Sequence, residues 1–309
     1  MKDVFSAPQF RDDEAARRHI EGLLWPDGPV CPHCGVIDHA YATKRPGVFR
    51  CAEKECRKDF TVTMKTVMER SKVALHKWLQ AFHLMCSSKK GISAHQLHRT
   101  LGVTYEAAWF MEHRIREAMR AGGVAALGGG GGIVKADETF IGRKKGARVR
   151  TGYGHKMVVM SLVERGGKVR SFKIDRAGRE QAERIIGENV SNEARLMTDS
   201  ASYYKRAEFD VADHQMVNHD IGEYARYPAD KPVVHTNTIE SYYSVFKRGM
   251  KGVYQHCREK HLHRYAAEFD FRHNTRTALG FNDGERAALA VKNAAGKRLT
   301  YRGSHETRL

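Results

Sequence analysis

The sequence has no long hydrophobic run. No stretch approaches about 18 uncharged apolar residues, which excludes a membrane-crossing helix on the usual length rule. Met1 to Phe10 is polar and mixed, so no secretory signal is expected. No long Lys/Leu amphipathic helix is evident, which argues against a membrane-surface protein. Cysteine is scarce, with six residues, four of them in two close pairs. Without a secretory signal, close pairs read as metal ligands rather than disulfides. The expected location is therefore cytoplasmic, with no membrane partner. Acidic residues are the other shortage. There are 36 Asp and Glu against 53 Lys and Arg, a net charge of +17 over 309 residues. Such an excess favours a polyanionic partner, because Lys and Arg displace counterions from phosphates. No internal repeat is visible, and 41% hydrophobic residues is a globular rather than disordered composition.

What is present divides the chain into segments. Residues 1–25 hold a short amphipathic helix, Asp12 to Leu24. Residues 26–65 are rich in Pro, Gly and Cys. Residues 66–121 are helical, with Leu75, Trp78, Leu79 and Phe82 at helical spacing. Residues 122–132 contain Gly122-Gly123 and the five glycines Gly128 to Gly132, which read as a flexible linker. Beyond it, Ile133–Ile141, Met157–Val163 and Val169–Ile174 are strand-like, Gln181–Val190 helical, and Arg195–Thr198 a fourth strand, with His214–Asn218 a candidate fifth. Thr238–Met250 and His261–Asn274 are helical. This block spans 133–280, and 281–309 reads as a polar, basic tail without imposed structure.

The cysteines have zinc-ribbon spacing. Cys31 and Cys34 are two residues apart, sixteen residues intervene before Cys51, and four more before Cys56. Two such knuckles close a tetrahedral thiolate site for one Zn²⁺. Four filled positions leave none open, so the ion's role is structural. In the helical segment, Ser93 caps a helix that stops at Leu101-Gly102-Val103, and Thr104 opens a second one. Helix, glycine turn, helix is a helix-turn-helix-like pattern. Thr104 and Tyr105 at the start of the second helix, with Arg114 further along, are candidate DNA contacts.

Three acidic positions carry the chemistry. Asp137 ends an apolar run, Asp199 ends another with 61 residues between them, and 40 more residues separate Asp199 from Glu240. Carboxylates at two strand ends and on a helix can hold two divalent cations for phosphoryl transfer. Glu138 points to the opposite face of its strand from Asp137, and the apolar alternation does not choose between them. Asn237 lies three residues before Glu240, so both can face one site and either can supply the third ligand. Arg143, Lys144, Lys145, Arg148, Arg150 and Lys156 form a stretch without one acid, read as a hairpin over DNA phosphates. Lys247, Arg248 and Lys251 follow Glu240 and suit a strand end. His235 just before this helix is a candidate for orienting water or the third ligand. Tyr203-Tyr204 and Tyr242-Tyr243 suit either stacking on bases or core packing.

Taken together, Cys31-Pro32-His33-Cys34, Lys135 to Gly142, Thr198-Asp199-Ser200 with Tyr203-Tyr204, and His235 to Ser241 resemble the IS1595-type insertion-sequence transposases with their ISXO2-like domain. Phe246-Lys247-Arg248-Gly249 and Lys260 to Tyr265 complete the likeness. The resemblance implies a multidomain chain: zinc ribbon, helix-turn-helix-like domain and an α/β RNase H-like catalytic domain. It favours Asp137 over Glu138, and it implies a DDE-type reaction at Asp137, Asp199 and Glu240, with Asn237 the rival third ligand. Two Mg²⁺, replaceable by Mn²⁺, are the implied catalytic cofactors. The implied partners are double-stranded DNA, as terminal inverted repeats and as target, and further copies of the chain in a homodimer or larger assembly. A bacterial, nucleoid-associated location follows. The competing readings are a domesticated RNase H-like nuclease and a DNA-binding regulator with an inactive core.

Overall fold

The Asp12 carboxylate accepts the Ala15 amide at 2.7 Å and so starts α1 (Asp13–Leu24), whose Ala16 and Ile20 are buried. In the computed structural model, residues 3–120, 122, 125–149, 151–229 and 232–300 are described. They divide into two units, Met1–Met119 with Phe281–Leu309, and Arg120–Gly280. In the first unit α1 leads into three short antiparallel strands, β1 (Ala40–Ala42), β2 (Phe49–Cys51) and β3 (Asp59–Phe60), in that order. Three helices follow: α2 (Leu75–Ser87), α3 (Ala94–Leu101) and α4 (Tyr105–Met119). The Ser93 hydroxyl accepts the Gln96 amide at 3.2 Å, and Gly102 ends α3 at φ +59°, a conformation that glycine adopts freely.

The second unit is built on β4 (Ile133–Ile141), β5 (Met157–Glu164), β6 (Val169–Ile174), β7 (Arg195–Asp199) and β8 (Asp213–Val217). They form one sheet in the order β6-β5-β4-β7-β8. β6, β5 and β4 are antiparallel, whereas β7 and β8 run parallel to β4. Helices α5 (Arg179–Asn189) and α6 (Ser202–Arg206) lie between strands in the chain. A short pair, β9 (Ala225–Arg226) and β10 (Val234–His235), precedes α7 (Asn237–Gly252) and α8 (Leu262–Asn274).

Side-chain alternation along β4 separates two cores. Val134 and Ala136 pack with Ile185 and Ile186 of α5 and with Tyr204 of α6. Ile141, with Val159 of β5, packs against Ile239, Tyr243 and Phe246 of α7 and Phe269 of α8. The sheet is thus covered on both faces, with Asp137 on the α7 side.

Two stretches differ from the sequence-based expectation. The second half of the glycine run is fixed, not a free tether. The Leu127 amide donates to the Asn189 carbonyl at 2.8 Å, and the Gly128 amide donates to Glu164 Oε1 at 3.0 Å. Gly128 sits at φ +79°, where an added Cβ would lie 2.5 Å from the Ala194 Cβ. Nor is 281–309 structureless throughout. Residues Asp283–Lys292 form α9, opened by a capping box between Asn282 and Glu285. Its buried Arg286 donates to the Cys86 carbonyl at 3.0 Å, tying α9 to α2. Composition alone misled here, because a short charged helix with an Ala/Val stripe looks like a tail until its partner is seen.

Candidate active site and metal centre

Cys31, Cys34, Cys51 and Cys56 meet. Their sulfurs all lie within 4.8 Å of one another, with Cys31 and Cys56 at 3.7 Å and Cys34 and Cys51 at 3.6 Å. Each knuckle is a tight turn: the Gly35 amide donates to the Cys31 carbonyl at 2.8 Å, and the Cys56 amide to the Glu53 carbonyl at 3.1 Å. Burial raises the Cys31 thiol, but the amides of Cys34 and His33 outweigh it and bring the group down to about 7. Trp25, Phe49 and Phe60 pack around the cluster with ring centres 5.5–5.9 Å apart. Four converging thiols in a small aromatic core fit one structural Zn²⁺.

The acids of the second unit come from three elements. β4 and β7 pair in parallel, with Ile133 opposite Arg195 and Lys135 opposite Met197. Two further residues along each strand bring Asp137 beside Asp199. The paired register ends at Lys135 and Met197, and Asp137 and Asp199, two residues further along each strand, keep the same face of the sheet. Burial and then the Asp199 carboxylate push Asp137 up to about 7, with Glu240 adding to the effect and Lys247 opposing it. The Glu138 amide donates to Asp137 Oδ1 at 2.8 Å, and the Ala201 amide donates to Asp199 Oδ1 at 3.0 Å. Glu240 lies in the first turn of α7. Its Oε1 accepts the Thr236 hydroxyl at 2.6 Å and has His219 Nε2 at 3.7 Å. Asn237 is exposed at the first position of the same helix.

The carboxylates of Asp137, Asp199 and Glu240 are not drawn as close together as the four thiols are. Three carboxylates that repel one another are a donor set of hard oxygens suited to divalent cations. The residues therefore fit such ions.

Several functional neighbours were not found from the sequence. Lys135 shares the Asp137 face and is fully buried, its Nζ 3.0 Å from His235 Nδ1 and donating to Thr238 Oγ1 at 2.8 Å. Burial, with Arg165 adding to it, lowers this ammonium to about 7. The alternation that places Asp137 also places Lys135, so a buried lysine was detectable there. Glu138 turns to the opposite face, where it accepts the Tyr204 hydroxyl at 3.2 Å. Burial and then Asp137 push it up to about 8. His219, 21 residues before Glu240, carried no signal, since only the fold brings it back.

The basic hairpin after β4 is closed by the Lys144 amide on the His155 carbonyl at 2.9 Å. Arg143, Lys145 and Arg148 are exposed along it, Lys144 donates to the Asp175 carbonyl at 2.7 Å, and Lys156 lies over the Tyr153 ring. Arg150 falls outside the described residues. Lys247, Arg248 and Lys251 are exposed on α7. Arg114 is not a surface cation. It is buried, and its guanidinium donates to the carbonyls of Glu69 at 3.0 Å and Leu299 at 3.2 Å, so it is occupied inside the first unit. The Thr104 hydroxyl accepts the Ala107 amide at 3.2 Å as a helix cap, and Tyr105 stacks on His95. Tyr204, Tyr242 and Tyr243 are core residues, not stacking surfaces. His235, held against Lys135, serves the approach to α7.

Among the described residues no helix is long and apolar enough to cross a membrane. Residues 11–59 match the transposase zinc-ribbon domain, and residues 129–274 match the ISXO2-like transposase domain. The chain is also similar to an uncharacterized protein in transposable element ISH50 of Halobacterium salinarum. The two are 26% identical over 260 residues, covering 77% of this chain and 83% of the relative. The ribbon, the strand-borne acids and these two ordered matches place the chain in the IS1595-type, ISXO2-like transposase family.

Proposed function

We propose that the chain is a DDE-type DNA transposase that cleaves the ends of its element and joins their 3′-hydroxyls to target DNA. The observation that carries this reading is the β4–β7 register, which sets Asp137 beside Asp199 with α7 bringing Glu240 to the same face. Three antiparallel strands continued by two parallel ones, with helices on both faces, support an RNase H-like core for it.

In this reading Asp137 and Asp199 are the two fixed ligands, because rigid strands hold them. Glu240 is the third, with Asn237 one helical turn before it. Two Mg²⁺ or Mn²⁺ bound there would activate the attacking oxygen and stabilise the leaving 3′-oxygen. Lys135 fastens the segment from His235 to Thr238, and that segment sets where α7 starts. Thr236 orients Glu240 through its hydroxyl. Lys247, within electrostatic reach of Asp137, attracts the phosphate of the strand to be cut. The exposed cations of the hairpin hold the duplex by its backbone. The α3–α4 pair, with Thr104 and Tyr105 at its second helix, is assigned to groove contact in the helix-turn-helix manner. Handling two ends together calls for a dimer or larger assembly on DNA.

The test is a cleavage and strand-transfer assay with Mg²⁺ on the DNA ends of the encoding element. Asp199→Ala should bind DNA as the wild type does and lose both steps by at least about a thousandfold, the scale expected when the main electrostatic stabilisation is removed. Residual joining near the wild-type rate would overturn the assignment. Parallel assays of Glu240→Gln and Asn237→Ala identify the third ligand.

A further inference from the structure

Beyond the acids, the second unit holds a cavity of about 640 Å³ where β4 ends. Its floor is apolar, formed by the largely buried Ile141 and Met157 from the sheet and Met250 and Tyr254 from the end of α7 and the turn after it, and Gln255, His256 and Cys257 complete its lining. Its mouth carries Arg143, Lys251 and Arg258, all exposed, and no carboxylate lines it. The volume is in the range of sites that enclose small organic ligands. An apolar floor below a cationic rim matches the two chemistries of a nucleotide, a flat base and a charged phosphate.

The cavity also lies on a path from the acids. Ile141 is four residues beyond Asp137 on β4 and on the same face, about 13 Å away along the strand. On α7, Lys247 lies within electrostatic reach of Asp137, and Lys251 is one turn further, about 6 Å along the axis, at the cavity mouth. A DNA strand with its scissile phosphate at Asp137 would thus pass Lys247 and meet the cavity within a few nucleotides of the cut. Gly142 keeps the space open. It turns the chain out of β4 at φ +54°, and a Cβ there would sit 2.7 Å from the Met157 methyl and force that side chain to move.

We propose that this cavity takes one unpaired nucleotide of the bound DNA strand, with the phosphate between Lys251 and Arg258 and the base against Met157, Met250 and Tyr254. The inference takes from the proposed function only the position of the strand at Asp137.

Cys257, half-buried in the cavity wall, reports occupancy. The probes are an eight-residue thymidine oligonucleotide and its abasic counterpart with the same phosphates. Iodoacetamide alkylation of Cys257 in the full chain is followed by peptide mass spectrometry without Mg²⁺. The thymidine probe should slow alkylation by about tenfold, and the abasic probe should slow it less than twofold. For Lys251→Gln with Arg258→Gln, protection is measured against the variant's own free-protein rate, because loss of neighbouring cations slows thiolate alkylation by itself. The double variant should lower the slope of log affinity against log salt by about 0.7, the value for one single-strand phosphate contact. Equal protection by both probes, protection by neither, or an unchanged salt slope would overturn the proposal. Because no cleavage is involved, Asp199→Ala should show the same protection as the wild type even if its catalytic assignment fails.

Discussion

Replacing Asp137 with Asn should stabilise the second unit at alkaline pH in the absence of Mg²⁺, although the same change abolishes the proposed chemistry. The native carboxyl titrates at about 7 against an ordinary 3.8, because burial and Asp199 disfavour its charge. An acid raised in this way contributes stability that is fully present below pH 3.8 and is lost as pH rises through 7. The displacement corresponds to about 4 kcal/mol at 1.36 kcal/mol per pH unit. Residual solvent at this half-buried side chain screens part of that, leaving about 2 kcal/mol to be recovered by the neutral amide. Trp25, Trp78 and Trp109 all lie in the first unit, so indole fluorescence does not follow this site. Hydrogen exchange in β4 and β5 peptides does. At pH 8.5 without Mg²⁺, Asp137→Asn should be protected by about 2 kcal/mol more than the wild type, and below pH 4 the two should converge. Mg²⁺ at a hundredfold over its dissociation constant should then stabilise the wild type by about 2.7 kcal/mol and the variant far less, reversing the order. A variant no better protected than the wild type at pH 8.5, or equal stabilisation of both by Mg²⁺, would refute the repulsive carboxylate cluster.

Three further outcomes are expected. Lys135→Met removes the ammonium that ties β4 to His235 and Thr238. Burying a charge is itself costly, so stability should change by less than about 1 kcal/mol while the Mg²⁺ midpoint of cleavage rises at least about tenfold; a fall in stability without a midpoint shift would make Lys135 merely structural. Cys51→Ser should lower the zinc content from one ion per chain, measured by atomic emission, and unfold residues 26–65, because apparent binding energies near 10–16 kcal/mol hold such ribbons. Gly128→Ala should cost about 1–3 kcal/mol in urea unfolding through its clash with Ala194 and Val134, and an unchanged midpoint would return the glycine run to the status of a tether.

How much was legible depended on the range of the signal. The thiol site was written in local spacing, and Cys31, Cys34, Cys51 and Cys56 converge as read. The strands from 133 to 174 announced themselves by apolar runs and by the Gly166-Gly167 turn. The choice between Asp137 and Glu138 was not legible locally, because both faces of β4 are covered and both therefore read as apolar. The structure shows only which face each takes, Asp137 that of α7 and Glu138 that of α5 and α6. Arg114 failed for a related reason. Its partners are the carbonyls of Glu69 and Leu299, and backbone acceptors 45 and 185 residues away leave no trace in side-chain pattern. The helix at Asp283–Lys292 was hidden by its charges, although Asn282 and Glu285 at cap spacing were a usable sign.

The three acids differ in what holds them, and this bears on how the site forms. Asp137 and Asp199 stand on paired strands of a doubly covered sheet, so their backbone positions are as rigid as the fold itself. Glu240 stands on the first turn of α7, and its carboxylate is half exposed. It is oriented by the Thr236 hydroxyl, and the hydroxyl lies 3.2 Å from His219 Nε2 on a 3₁₀ turn in a long connection. The anchor of that connection is Lys135, which reaches from β4 to the residues just before and after the helix start. In the proposed reading, a cation that drew Glu240 toward Asp137 would compete with Thr236 for the same oxygen, with β4 and β7 left in place. In that reading the rigid pair would hold a first cation before the third acid is in place, and that cation would supply the attraction for a substrate phosphate. Thr236→Val, which frees Glu240 without touching the strands, should accordingly shift the Mg²⁺ dependence of cleavage while leaving DNA affinity unchanged, and a matching loss of DNA affinity would show that the segment serves binding instead.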